Sequence, residues 1–438
     1  MEDFGKYLLI DLQQELVRTG LAVLAPQAFT HAEVAQSSKM VAPQAFTHAE
    51  VAPSSKVVVP HAFSHTETAP SSKVVAPHAF SHIETAPSSK IVLAYPAIGS
   101  EAENGSSVTL ATVFFGGGTP SLMKPKSIAN ILDFLQKECL LDSEAEISME
   151  ANPGTFDKQT MKDFRDAGIN RLSLGIQSFS DVNLQFLGRI YDSKQAHLAA
   201  EIVSNIFNNF SFDFIYGYEC QDIDGLERDL ATAVSFDCKH ISCYQLSFDE
   251  GTVFHDRLLA GDMHDICDTD AIRYYNFIVD YLRDNGIFRY EISNYARPNF
   301  ECIHNMNYWK YHDYLGIGPA AHSRLTIDGY KNEIVKISDP YAWKKSLEQK
   351  SDARESSKVL SPREKLEETL IMGLRLNEGI ELKNIHENNS KDVVSEVLSD
   401  EKIRFLIDKQ LVVEHLTKLQ LTEAGLERLD SVVEFLCG

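Results

Sequence analysis

The sequence predicts an α/β protein, an open or closed barrel of parallel strands followed by a small helical domain. Three observations predict it. From about residue 110, strand-like apolar runs alternate with helical patterns, and strand then helix, repeated, implies parallel strands joined by right-handed crossovers. After about residue 355 the strands give way to helices. The chain has 438 residues, 44% hydrophobic and 24% charged, enough to bury a large core without disulfide or metal staples.

Residues 6–24 carry Tyr7, Leu8, Ile10, Leu12, Leu16 and Val17 at roughly helical spacing and end near Gly20, which predicts an amphipathic helix with no strand before it. A repeat follows. Pro26, Pro43, Pro60 and Pro77 recur every 17 residues, as do Phe29, Phe46, Phe63, Phe80 and His31, His48, His65, His82, in four copies approximating V-A-P-x-A-F-x-H-x-E-x-A-P-S-S-K. Proline at two points of the repeat, the second replaced by Gln36 in the first copy, excludes a helix or a long central strand. With His61 and His78, six of the fifteen histidines lie here, which admits a metal-binding reading. The copies match too closely for that to be favoured over a duplicated segment inserted as a flexible loop, so residues 25–108 are expected to be disordered.

Candidate strands then fall at 111–115, 146–150, 171–175, 212–216, 240–246 and 288–292, with helices at 127–140, 157–167, 195–208, 225–235 and 271–285. A late β-like pair lies around 411–413 and 419–421. The expected organisation is a leading helix (1–24), the repeat insertion (25–108), the barrel (109–350) and a C-terminal helical domain (351–438).

A net charge of −22 repels phosphate backbones and anionic membranes, which excludes a general nucleic-acid binder. No run approaches the ~18 apolar residues a membrane span needs. The seven cysteines are odd in number and thinly spread, and no signal peptide is recognisable, so a reduced, cytoplasmic protein is expected.

In such barrels ligands collect at the carboxyl ends of the strands. The first strand ends in Gly116-Gly117-Gly118-Thr119-Pro120, where glycines admit a ligand to the backbone and Thr119 with Pro120 suits a helix start. Neither a Walker loop nor a dinucleotide fingerprint is present. The second strand ends at Glu150, followed by Ala151-Asn152-Pro153-Gly154, where a carboxylate serves either an ammonium or sugar hydroxyl, or a structural cap. Gln177 ends the third strand and Arg189 follows in Leu187-Gly188-Arg189, an amide and a guanidinium able to grip a carboxylate. Asp213, inside an apolar strand, requires a partner or a function. His304, flanked by Cys302, Tyr308 and Trp309, is either a satisfied core histidine or an axial ligand over a flat porphyrin-like molecule. Cys238 and Cys243 lack a second pair, against a zinc site.

Seven segments together, in this order, resemble the radical S-adenosylmethionine family of oxygen-independent coproporphyrinogen III oxidase-like proteins, in its haem chaperone branch. They are Phe-Gly-Gly-Gly-Thr-Pro-Ser-Leu, Glu-Ala-Asn-Pro-Gly-Thr, Arg-Leu-Ser-Leu-Gly-Ile-Gln-Ser-Phe, Leu-Gly-Arg, Asp-Phe-Ile-Tyr-Gly, Tyr-Glu-Ile-Ser-Asn-Tyr-Ala and His-Asn-x-x-Tyr-Trp, and the resemblance as a whole covers about residues 111–430 plus the leading helix. The resemblance implies a partial (β/α) barrel and a small winged-helix-like C-terminal domain. It also implies that Gly117, Gly118 and Thr119 hold the methionyl end of S-adenosylmethionine while Glu150, Gln177, Arg189 and Asp213 line its site. His304, Asn305, Tyr308 and Trp309 match the haem chaperone signature, so haem or porphyrin, and a haem-acceptor protein, are the expected partners.

The family also opens with a strand and C-x-x-x-C-x-x-C, whose thiolates hold a [4Fe-4S] cluster. Here no cysteine precedes Cys139, so cluster ligands are expected to be missing and the metal site absent. Tyr191 replaces a common histidine, and Tyr218-Glu219-Cys220-Gln221 replaces a Pro-Gly turn. Two functions stay open: a haem chaperone or oxidase-like radical protein of porphyrin metabolism, and a non-catalytic haem- or partner-binding remnant of that family.

Overall fold

The computed structural model describes residues 4–19, 89–94, 109–138, 140–349 and 352–438. Helix α1 (Phe4–Arg18) buries Leu8, Leu12 and Leu16, a stripe at i, i+4 and i+8. Strand β1 (Lys90–Ala94) is the next described element. The barrel proper then runs β2 (Leu110–Gly116), α2 (Pro125–Lys137), β3 (Leu141–Ala151), α3 (Lys158–Asp166), β4 (Arg171–Gln177), α4 (Asp181–Phe186), α5 (Ser193–Ile206), β5 (Asn209–Tyr216), α6 (Ile223–Ser235) and β6 (His240–Gln245). Strands β2 to β6 are parallel neighbours in sequence order. Asp157, Asp192 and Asp222 start α3, α5 and α6 by accepting a backbone N–H of the first turn, which stops each loop at a fixed place.

After α7 (Val253–Ala260) and α8 (Asp268–Asp284), β7 (Phe288–Glu291) and β8 (Asn294–Ala296) form an antiparallel ribbon whose β8 pairs antiparallel with β6. The expected sixth parallel strand at 288–292 is thus corrected to one arm of a hairpin. Helix α9 (Ile303–Trp309) leads into β9 (Tyr314–Ile317), β10 (His322–Ile327), β11 (Tyr330–Lys336), α10 (Pro340–Glu348) and β12 (Arg354–Val359). The sheet order is β12-β11-β10-β9-β1-β2-β3-β4-β5-β6-β8-β7, and its two ends do not pair, so the barrel is partial.

Three expected boundaries move. The span 25–108 contains β1, which pairs antiparallel with both β2 and β9 and buries Ile91 and Leu93; apart from Ser89 the remainder of that span lies outside the described residues, as do residues 20–24 of the expected first helix. At the other end β12 joins the large sheet, carrying the barrel past residue 350. In the late pair Val412 bridges Leu421 antiparallel, with Val413 N donating to Gln420 O and Thr422 N to Leu411 O, while β14 (Lys418–Leu419) pairs antiparallel with β13 (Ile380–Glu381) on the far side of three helices.

The C-terminal region comprises α11 (Pro362–Gly373), α12 (Leu382–Asn388), α13 (Lys391–Val397), α14 (Asp400–Asp408), α15 (Glu423–Leu426) and α16 (Leu429–Cys437) around a separate core that includes Leu366, Leu370, Ile385, Leu406 and Leu436. It is tied to the barrel by charge: Arg324 of β10 forks onto both carboxylate oxygens of Glu368 in α11, at 2.8 and 2.9 Å. No helix among the described residues is long and apolar enough to cross a membrane.

Candidate functional site at the barrel lumen

The parallel strands alternate in an unusual sense. Their apolar positions, such as Ile147, Met149, Leu172, Leu174, Phe212, Phe214, Ile241 and Cys243, join the main core. Their other face is polar: Thr112 in β2, Glu146, Ser148 and Glu150 in β3, Arg171 and Ser173 in β4, Ser211 and Asp213 in β5, His240 and Ser242 in β6. Register places them side by side, Ser148 opposite Arg171, Glu150 opposite Ser173, Ser211 opposite His240 and Asp213 opposite Ser242. Because side chains alternate faces along a strand, this is one continuous polar lining of the lumen.

That lining is under-satisfied. Buried Ser148 Oγ, Arg171 Nε, Asp213 Oδ1, His240 Nδ1 and His304 Nε2 have no hydrogen-bond partner, and each such atom costs about 1–3 kcal/mol unless something polar meets it. The lumen therefore has the chemistry of a site for a polar ligand rather than of a packed core.

At its carboxyl edge, Gly117 and Gly118 adopt left-handed backbone (φ 67° and 58°), and the Gly117 amide donates to Glu150 Oε2 at 3.0 Å. Burial pushes the Glu150 carboxyl up to about 8, with the Asp213 charge adding to that rise and the Gly117 amide and Lys90 opposing it. Asp213 is raised too, chiefly by burial, while accepting from Ser173 Oγ at 2.7 Å. Gln177 is buried and held at φ 63°, a conformation that few non-glycine residues take. Arg189, half-buried, has an unpartnered Nε and lies close enough to Tyr191 for its charge to act on that hydroxyl, which donates to the Gly175 carbonyl at 2.7 Å. Gly117, Glu150 and Gln177 thus lie at the carboxyl ends of β2 to β4, while Asp213 sits within β5 and Arg189 in the segment between α4 and α5. Thr119 departs from expectation: its side chain makes no cap, and only a short 3-10 turn (Pro120–Leu122) follows it.

The histidine cluster divides. His304 is buried, stacked on Phe114 at 4.7 Å with Nδ1 2.7 Å from Thr112 Oγ1, and burial plus the Arg171 charge lower its pKa to about 3, so the ring is neutral. Tyr308 meets it edge-on at 4.9 Å, and Asn305 donates to Tyr290 OH at 3.3 Å. Trp309 points elsewhere, packing with Met372 and Leu376 of the C-terminal region under Arg375, 4.5 Å from its ring. The four residues of the signature therefore do not converge on one point. Glu146 anchors the start of α9 by accepting the Ile303 and His304 amides at 3.1 Å.

Among the described residues no group of three His, Cys, Asp or Glu side chains is placed to hold a metal. Cys238, Cys243 and Cys302 are buried, and Cys220 and Cys267 are exposed. Cys139 and the six repeat histidines lie outside the described residues.

Sequence reasoning missed Lys90, Glu146, Arg171 and His240, all of which face this lumen. The available signal was the i, i+2 spacing of Glu146-Ser148-Glu150, Arg171-Ser173, Ser211-Asp213 and His240-Ser242, a polar face on strands whose other face is fully apolar.

Comparison with known proteins agrees along most of the chain. Residues 95–232 match the Radical SAM superfamily and residues 360–427 match the HemN C-terminal domain. Haem chaperone HemW of Buchnera aphidicola subsp. Acyrthosiphon pisum is 32% identical over 329 residues, 74% of this chain and 83% of that protein. HemW of Escherichia coli K12 is 36% identical over 252 residues, 56% of this chain and 65% of that one. In three dimensions the chain is similar to Escherichia coli coproporphyrinogen III oxidase HemN, with a TM-score of 0.63 at 18% identity, covering 76% of this chain and 78% of the other, a likeness of fold.

Proposed function

Because the chain belongs to the radical S-adenosylmethionine family, in the branch of the haem chaperone HemW, we propose that it holds S-adenosylmethionine at the carboxyl edge of β2 to β5 and carries haem as cargo. The observation that carries this reading is the glycine loop closed onto Glu150, with an unpartnered Asp213 Oδ1 within β5 and an unpartnered Arg189 Nε between α4 and α5. The donor set fits that molecule. Gly117 and Gly118 leave the backbone open to its methionyl end, Glu150 takes the ammonium, Arg189 the carboxylate, and Asp213 with Gln177 the ribose hydroxyls. When bound, S-adenosylmethionine supplies an activated sulfonium. Buried Tyr191 keeps its proton, since burial raises its pKa, and steadies the Gly175 carbonyl beside Gln177.

The described residues do not fit an iron–sulfur cluster, for the ligand grouping it needs is not among them. The unpartnered Nε2 of the neutral His304 supports a second reading, in which this chain binds haem or a haem-acceptor protein without radical chemistry. A reduced, cytoplasmic setting accords with the six described cysteines, all free thiols.

Equilibrium dialysis with S-adenosylmethionine tests the first reading: saturable binding, weakened ~10-fold or more by Asp213→Ala, is the expected result. No saturable binding sinks it. Iron and sulfide analysis after anaerobic reconstitution separates the two readings, because the second requires neither element to be retained.

A further inference from the structure

Strand β1 runs antiparallel to β2, beside a set of strands that are all parallel. An antiparallel strand reverses its ends, so the first residue of β1 lies at the carboxyl edge of its neighbours, where the glycine loop sits. That residue is Lys90, paired in register with Gly116 and therefore on the lumen face. It closes the fourth copy of the sequence repeat, as the lysine of its Ser-Ser-Lys.

The side chain of Lys90 lies along the loop. A Cβ at Gly117 would meet its Cδ at 3.2 Å and its Cγ at 3.3 Å, so the stem covers the backbone that the glycine leaves open. Its Nζ donates to the Ala320 carbonyl at 3.0 Å, and Glu150 is the carboxyl whose charge acts on it. A cation, an aliphatic stem, the glycine loop and Glu150 reproduce the contacts expected of an aminoalkyl ligand end. Ile91 and Leu93, fully buried on the opposite face, hold β1 in place, so the lysine can swing away without the strand leaving.

We propose that Lys90 is a built-in plug: its stem and terminal nitrogen occupy the subsite of the glycine loop that takes the ammonium end of S-adenosylmethionine, and the ligand binds only when Lys90 withdraws. This rests on the reading that the loop is the cofactor's site. The plug lowers apparent affinity by the fraction of molecules in which Lys90 has swung out.

The test is equilibrium dialysis of S-adenosylmethionine against the wild-type chain, Lys90→Ala, Lys90→Met and Lys90→Arg, with thermal unfolding confirming that each is folded. Lys90→Ala and Lys90→Met should bind at least ~10-fold more tightly than wild type, while Lys90→Arg, which restores a cation on a long stem, stays within ~2-fold of it. Equal or weaker binding by both neutral variants overturns the plug and leaves the cofactor site standing. No saturable binding by any of the four overturns both.

Discussion

Lys336 Nζ donates to Asp11 Oδ1 at 2.6 Å, with both side chains fully buried. The same carboxylate accepts Trp343 Nε1 at 3.0 Å and the Gly318 amide at 3.1 Å, so one acid of α1 gathers β11, α10 and the end of β9. Removing one partner of a buried pair strands the other charge. Asp11→Ala should lower stability by about 3–5 kcal/mol, and the added Lys336→Met change should restore part of it. Denaturant unfolding of the single and double variants measures both, and additive losses would show that the pair is not coupled.

One turn on, Glu15 receives Arg354 at 2.7 Å and Lys336 at 2.9 Å. Burial pushes its carboxyl up, but the hydrogen bond from Arg354 and the charge of Lys336 outweigh that and bring it from an ordinary 4.5 to about 2. A depressed acid contributes stability above its unfolded pKa and loses it as pH falls through the folded one. Stability should therefore drop between pH 4.5 and about 2, by about 3 kcal/mol from this group. Glu15→Gln should flatten that part of the acid limb in urea titrations at stepped pH; an unchanged limb would exclude Glu15 as its source.

Glu150 has the opposite sign. With its carboxyl raised to about 8 by burial, it is mostly protonated at neutral pH, and an arriving ammonium draws it into the charged form. Binding of S-adenosylmethionine at pH 7 should then release about one proton from this group. Calorimetry in buffers of differing ionisation enthalpy reads that number directly. Glu150→Gln should bring it near zero, and a wild-type value already near zero would remove Glu150 from the ammonium contact.

His304 stays neutral across the physiological range, its pKa lowered to about 3 by burial and the Arg171 charge, and its Nε2 has no partner. A neutral imidazole with a free nitrogen is the form that ligates iron. His304→Ala should weaken haem binding by ~10-fold or more in difference spectroscopy. Trp309→Phe should leave haem affinity unchanged, since the indole packs against the C-terminal region. An unaffected His304→Ala variant would take that residue out of the haem site.

The parts legible in the sequence were those with a local signature. Strands β2 to β6 announce themselves by apolar runs at Val113, Leu172, Phe212 and Ile241, and their parallel order follows from the helices between them. The glycine loop, Glu150 and Gln177 were legible because the barrel puts every strand end on one rim, and Asp213 because a carboxylate inside an apolar strand requires a partner. Strand β1 was not, since Lys90–Ala94 continues a repeat whose prolines argue against regular structure, and its pairing depends on a slot formed by β2 and β9, over 200 residues apart. The direction of Trp309 was equally hidden: spacing along α9 does not say which face meets Met372 and which meets the lumen.

The place of β1 at the end of the last repeat has a consequence for how this gene can change. Loss or gain of a whole 17-residue copy upstream alters the length of chain between α1 and the sheet but delivers the same Ser-Ser-Lys-Ile-Val-Leu segment to the same neighbours. Copy number and strand register are thereby uncoupled, so the tandem array can expand or contract by slippage without touching the sheet it feeds.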